Sequence, residues 1–147
     1  MIVFAGGCLE RIAHAVERAY PEEGCGLLIG RRDTARKLYI TEVAESDNVA
    51  IGQRNRRFEV DPALRLSLMR RLRGTADDIV GHYHSHPDGT AVPSAHDAAM
   101  VFEPELVWLI ISVSARRAGD ARCWQWDQTT GSFLHLPHRP NLRTGST

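Results

Sequence analysis

Two histidines stand two positions apart, His84 and His86, and are followed by Ser94 and Asp97 in the stretch Gly81 to Met100. Two imidazoles and one carboxylate are a ligand set that proteins use for a zinc ion with one position left open to water. An open position marks chemistry rather than a structural staple, so these residues point to a metal hydrolase. In a strand, alternate side chains share a face, so His84 and His86 project to one side about 7 Å apart at the backbone. Both rings can then converge on one ion with bonds of about 2.0–2.1 Å. His82 lies on the same face, one pair further back, and is a candidate to support the ligands rather than a third ligand.

Ser94-Ala95-His96-Asp97 also matches the capping box [ST]-x-x-[DE], with Ser94 as N-cap and Asp97 at N3. Capping and chemistry are compatible here. A helix starting at Ser94 sets positions 94 and 97 on adjoining parts of its first turn, facing the end of the preceding strand. Asp97 can then complete the ligand set, and the Ser94 hydroxyl can face whatever the metal binds. His96 should point about 100° away from Asp97, onto the helix surface. Water activation also needs a proton acceptor, a role commonly worth about 10²–10⁴-fold in rate. Glu22 and Glu23 precede the apolar run Gly26 to Ile29, but the residues alone make both of them solvated acids in a turn.

The elements that must position these groups are legible from periodicity. Leu9 to Tyr20 carries apolar residues at helical spacing and ends at Pro21. Gly26 to Ile29 reads as a buried strand and Lys37 to Val43 as its partner. Ala44 to Arg57 is polar and patternless, a long loop of the kind that is often functional. A second helix opens at Pro62, with Asp61 as N-cap and Gly74 as its stop. Asp78 to His86 reads as a strand, Pro87 to Pro93 as a loop, Ser94 to about Phe102 as a helix and Leu106 to Ser114 as an apolar strand. Ala121–Trp126 and Ser132–Leu136 read as a hairpin about Thr130-Gly131. The whole is an α/β (α+β) domain over residues 1–137, a central mixed sheet flanked by helices, with 138–147 as a disordered tail.

Composition narrows the partners. With 147 residues, 43% hydrophobic and 24% charged, the chain is that of one ordinary globular domain. Lys plus Arg and Asp plus Glu balance at 18 each, so overall charge suggests no nucleic acid and no acidic membrane as partner. The arginine clusters at 54, 56 and 57, at 70, 71 and 73, and at 116 and 117 read as solvated surface. Cys8, Cys25 and Cys123 form no C-x-x-C pair, which fits a reducing cytoplasm. The N-terminus is a poor secretory signal, and Leu106 to Ile111 is far shorter than a membrane span.

His84-Ser85-His86, seven residues, Ser94, two residues and Asp97 together resemble the signature of the JAMM (MPN+) metalloprotease family. The segment Pro21-Glu22-Glu23-Gly24-Cys25-Gly26-Leu27-Leu28 is similar to the Pro-x-Glu-x-Cys-Gly-Leu-Leu run of small prokaryotic members. Arg57-Phe58-Glu59-Val60-Asp61-Pro62 resembles the segment these proteins carry before their second helix. The resemblance spans about residues 3 to 136. It implies a fold related to the cytidine-deaminase type, Zn2+ on His84, His86 and Asp97, Glu23 as the base and Ser94 as the oxyanion donor. It also implies hydrolysis of an amide or isopeptide bond after the C-terminal diglycine of a ubiquitin-like or sulfur-carrier protein. Cys25 belongs to the pattern and reads as a small buried residue, not a nucleophile. Two other readings stand beside this one. A non-catalytic MPN scaffold would share the fold, and a non-heme iron enzyme would share the two-histidine, one-carboxylate set. Which carrier is cut, and the oligomeric state, are not written in the sequence.

Overall fold

The computed structural model describes residues 1–141. The chain begins with β1 (Ile2–Phe4) and α1 (Cys8–Ala19), then β2 (Cys25–Arg32) and β3 (Leu38–Ser46). α2 (Pro62–Leu72), β4 (Asp78–Pro87) and α3 (Ala95–Ala99) follow, and the chain closes with β5 (Val107–Ser114), β6 (Arg117–Asp127), β7 (Ser132–Leu136) and β8 (His138–Pro140). The strands form one mixed eight-stranded sheet in the order β7-β6-β5-β4-β2-β3-β1-β8. β2 and β4 run antiparallel at its centre, whereas β4 and β5 are parallel.

Alternation along the central strands sorts side chains onto two faces. α1 turns Cys8, Ile12 and Val16 onto one face, where they meet Leu28, Tyr83, Leu109 and Ile111. α2 covers the other face through Leu68 and Leu72, packed with Leu27, Ile29 and Ile79. Leu27 pairs with His82 and Cys25 with His84, so the histidines of β4 stand on the α2 side. Gly26 sits between them on the α1 side, and a Cβ there would collide with the Ala44 carbonyl oxygen and the Tyr83 ring. Gly26→Ala is therefore expected to destabilise the domain by about 3 kcal/mol. A drop in the urea midpoint with unchanged slope would register it, and an unchanged midpoint would contradict the packing described.

The predicted elements recur with shifts at their ends. α2 begins as read, the Asp61 carboxylate accepting the Ala63 N–H. β3 runs on to Ser46, taking the first three residues of the predicted loop. α3 stops at Ala99 rather than near Phe102, because the Met100 N–H turns back to the Asp97 carbonyl. β6 starts four residues early, at a turn in which Ala115 and Arg116 both take positive φ. β1 was not among the predicted strands.

The tail boundary at 137 requires correction. His138–Pro140 form β8, which pairs in parallel with β1. The Ile2 N–H donates to the Pro137 carbonyl at 3.0 Å, and the His138 ring meets Phe4 edge-on at 5.8 Å. β1 pairs in parallel with β3 on its other side, so β8 satisfies its remaining edge. The remainder of the predicted tail, 142–147, lies outside the described residues. Among the described residues, no helix is long and apolar enough to cross a membrane.

Candidate metal centre

β4 delivers His84 and His86, and α3 delivers Asp97 from its first turn. The His84 and His86 Nε2 atoms lie 3.2 Å apart. Asp97 Oδ2 lies 3.0 Å from His86 Nε2, and Oδ1 lies 3.3 Å from His84 Nε2. Donors bound tetrahedrally at about 2.0–2.1 Å stand roughly 3.3 Å from one another, so these separations, with a different carboxylate oxygen toward each histidine, are close to those around a tetrahedral metal ion. The three groups are buried, with His84 0%, His86 9% and Asp97 4% exposed.

Hydrogen bonding sharpens the fit. His86 Nδ1 faces the Thr90 carbonyl at 2.7 Å, a contact that needs a proton on Nδ1. Its Nε2 is thereby left as the donor atom toward a metal, the usual role of an outer carbonyl behind a ligating histidine. Yet the same Nε2 also faces the Asp97 carboxylate, so the pocket wants a cation at this point, either a proton or a metal. Burial alone would depress the His86 pKa, but Asp97 and the Thr90 carbonyl outweigh it and hold the imidazole above its ordinary value. Asp97 goes the opposite way. Burial would raise it, but hydrogen bonds from His84 and His86 hold it well below the usual carboxylate range. His84 is depressed by burial, and its ring is oriented by stacking on Phe58, with centroids 4.3 Å apart and planes 15° apart.

Ser94 and Asp97 form the predicted capping box. Ser94 Oγ accepts the Asp97 N–H at 3.0 Å, and Asp97 Oδ2 accepts the Ser94 N–H at 2.9 Å. A hydroxyl that accepts one bond still has its own hydrogen to give, so capping leaves Ser94 free as a donor.

Glu22 and Glu23 part company. Glu22 is half-exposed and pairs with Arg54, as expected of a solvated acid. Glu23 is only 5% exposed, which overturns the reading of it as a solvated turn residue. Cys25 pairs with His84 across antiparallel strands, so counting back two residues sets Glu23 beside His86. The Ser85 N–H continues that register by donating to the Gly24 carbonyl at 3.0 Å. Burial pushes the Glu23 carboxyl up to about 8, against the pull of His86 and with a further push from Asp97. Its Oε1 is buried with no hydrogen-bond partner.

Other predicted residues take supporting or neutral places. His82 makes no hydrogen bond to the ligands; its ring packs 4.4 Å from Trp108, and burial lowers it to about 3. His96 is exposed on α3, as expected. Burial pushes the Cys25 thiol up to about 12, far from a nucleophilic thiolate. Two contributors were not identified from sequence. Ser85 is fully buried and its Oγ accepts the Gly24 N–H at 2.8 Å, fixing the segment that carries Glu23. The hydroxyl between the two histidines was the available signal. Thr90 gave none, because it acts through its carbonyl.

A mixed sheet with helices on both faces, bearing two strand histidines and a helix-capping aspartate around one point, defines the class of JAB-type domains. The chain belongs to the prokaryotic homologs of the JAB domain, whose family model matches residues 7–127. It is 36% identical over 120 residues to a protein of Haloferax volcanii named desampylase, covering 80% of this chain and 82% of that one. It is 33% identical over 91 residues to a protein of Thermus thermophilus named "Probable TtuB-protein conjugate cleaving protease", covering 62% of this chain and 57% of that protein. The solution structure of a Desulfitobacterium hafniense protein superposes with a TM-score of 0.82 at 27% identity, covering 96% of this chain and 93% of that one. A JAB1/MPN domain protein of Archaeoglobus fulgidus shares the fold at TM-score 0.56 and 19% identity, covering 92% and 96%.

Proposed function

We propose that this chain is a zinc-dependent peptidase that hydrolyses the amide or isopeptide bond after the C-terminal glycine of a ubiquitin-like or sulfur-carrier protein. The observation that carries this reading is the buried Glu23 carboxylate, with an unpartnered oxygen, beside the convergent His84, His86 and Asp97. Leaving a buried polar atom unpartnered costs about 1–3 kcal/mol. A scaffold has no reason to retain that cost, and a non-heme iron reading leaves Glu23 and Ser94 without roles.

His84, His86 and Asp97 would hold the ion, which when bound supplies a Lewis acid that polarises a carbonyl and acidifies water. Glu23 Oε1 accepts a proton from the attacking water as the new C–O bond forms, then returns it to the amine nitrogen as the C–N bond breaks. Burial raises the Glu23 carboxyl and a bound cation would lower it, so the group could both take up and return the proton. Ser94 Oγ donates to the oxygen that gains charge in the tetrahedral state.

The relatives support the substrate class. One is named a desampylase, and the name of another states cleavage of a TtuB-protein conjugate. A diglycine tail has no side chains to clash and can adopt any backbone angle, which suits entry beside the loop from Pro87 to Pro93. Arg54, Arg56 and Arg57 are exposed on the loop before α2, where they can meet an acidic ubiquitin-fold body. The free, buried Cys8, Cys25 and Cys123 suit a cytoplasmic setting. Mass spectrometry of a carrier bearing a C-terminal cysteine or peptide, incubated with the zinc-loaded protein, should show loss of the appended group and an intact Gly-Gly terminus. Carrier adducts that stay whole while unrelated peptides are cut would leave a general peptidase instead.

A further inference from the structure

Asn48 has no part in the chemistry above, yet its side chain uses its full hydrogen-bonding capacity around Glu23. It lies just past β3, where Asn48 and Val60 form an isolated antiparallel bridge that closes the intervening loop. Its Oδ1 accepts the Ala50 and Glu59 N–H groups, each at 3.1 Å. Its Nδ2 donates to the Arg57 carbonyl at 2.8 Å and the Glu23 carbonyl at 3.0 Å, with the Arg54 carbonyl further off at 3.4 Å. The Arg54 carbonyl in turn accepts the Glu23 N–H at 2.7 Å.

Glu23 lies just before β2, where the ladder of β2 and β3 has already ended at the pair Cys25 and Ser46. On the β4 side its segment is held by Ser85, through both the N–H and the carbonyl of Gly24. On the other side nothing of the sheet remains, and both polar groups of the Glu23 backbone end on the loop that Asn48 organises. The Asn48 amide and the Arg54 carbonyl together thus substitute for the missing strand. An amide is suited to this, because it gives two N–H donors and an oxygen that can accept twice.

We propose that Asn48 is a positioning residue that fixes the backbone of Glu23, and with it the placement of the catalytic carboxylate. The inference rests on Glu23 acting as the base. Displacing a reacting group by about 1 Å can cost on the order of 10²-fold in rate. Asn48→Ala should therefore lower the single-turnover rate at saturating carrier conjugate by roughly 10–100-fold, with metal content unchanged.

A double-mutant cycle with Glu23→Gln separates positioning from general damage. With no base left to place, Asn48→Ala should change the residual rate less than about twofold. Amide exchange at Glu23 should speed up in Asn48→Ala, while the amides of β2 and β4 keep their protection. If Asn48→Ala fails to fold, Asn48→Asp serves in its place, keeping the acceptor for Ala50 and Glu59 but losing the donors to Glu23 and Arg57. A full-rate Asn48 variant, or a loss that multiplies with that of Glu23→Gln, overturns the role of Asn48 alone. A fully active Glu23→Gln overturns the base assignment and this inference with it.

Discussion

Glu23→Gln is expected to bind metal like the parent chain and to lose at least two orders of magnitude in turnover. Glutamine fills the same space, and the backbone bonds from Glu23 to Arg54 and Asn48 do not depend on the side chain. What is lost is the oxygen that accepts a proton. Because Oε1 has no partner in the protein, no neighbour stands ready to substitute for it. Glu22→Gln should be nearly silent, since Glu22 spends its charge on a half-exposed pair with Arg54. Turnover of the two variants, with metal content measured alongside, checks the ranking. The reverse order would move the base to Glu22.

Removing a ligand should have a different signature. His84→Ala and Asp97→Ala are each expected to abolish both metal binding and activity, because three protein donors are the minimum for a catalytic zinc site. The site should also respond to acid with a definite sign. His86 is held above its ordinary value and His84 below it, so His86 is the first of the two to take up a proton as pH falls. A protonated imidazole cannot bind metal, so retention should decline as the pH falls from neutral and be recovered on raising it. Metal analysis after dialysis across that range checks this. Stoichiometric zinc in the double variant His84→Ala/His86→Ala would remove the site from β4 altogether.

The donors were legible in the sequence because their geometry is local. His84 and His86 share a face by strand alternation, and Ser94 to Asp97 is a capping box within one helical turn. Glu23 differs. Its place depends on the register of β2 against β4, which lie far apart in the chain, and a residue-by-residue reading leaves it as a solvated acid; only the likeness of Pro21 to Leu28 to a family pattern singled it out. Asn48 was hidden for a related reason. Its loop has no periodicity, and its role consists of side-chain bonds to backbone groups that any residue carries. β1 and β8 escaped because three-residue strands have too few positions to show alternation, and β8 forms only by pairing with the far end of the chain. The early start of β6 was masked by Ala115 and Arg116, which take positive φ without the glycine or asparagine that usually signals such a turn.

In the proposed reaction one metal ion at His84, His86 and Asp97 works with Glu23 to cut a conjugate after the terminal glycine of its carrier. Titrating zinc into metal-free protein while following cleavage of such a conjugate by mass spectrometry tests it most directly. Cleavage should be absent without metal, rise in proportion to added zinc and level off at about one equivalent per chain, leaving an intact Gly-Gly terminus. Full cleavage by the metal-free protein, or an uncut conjugate with one zinc bound, would contradict it.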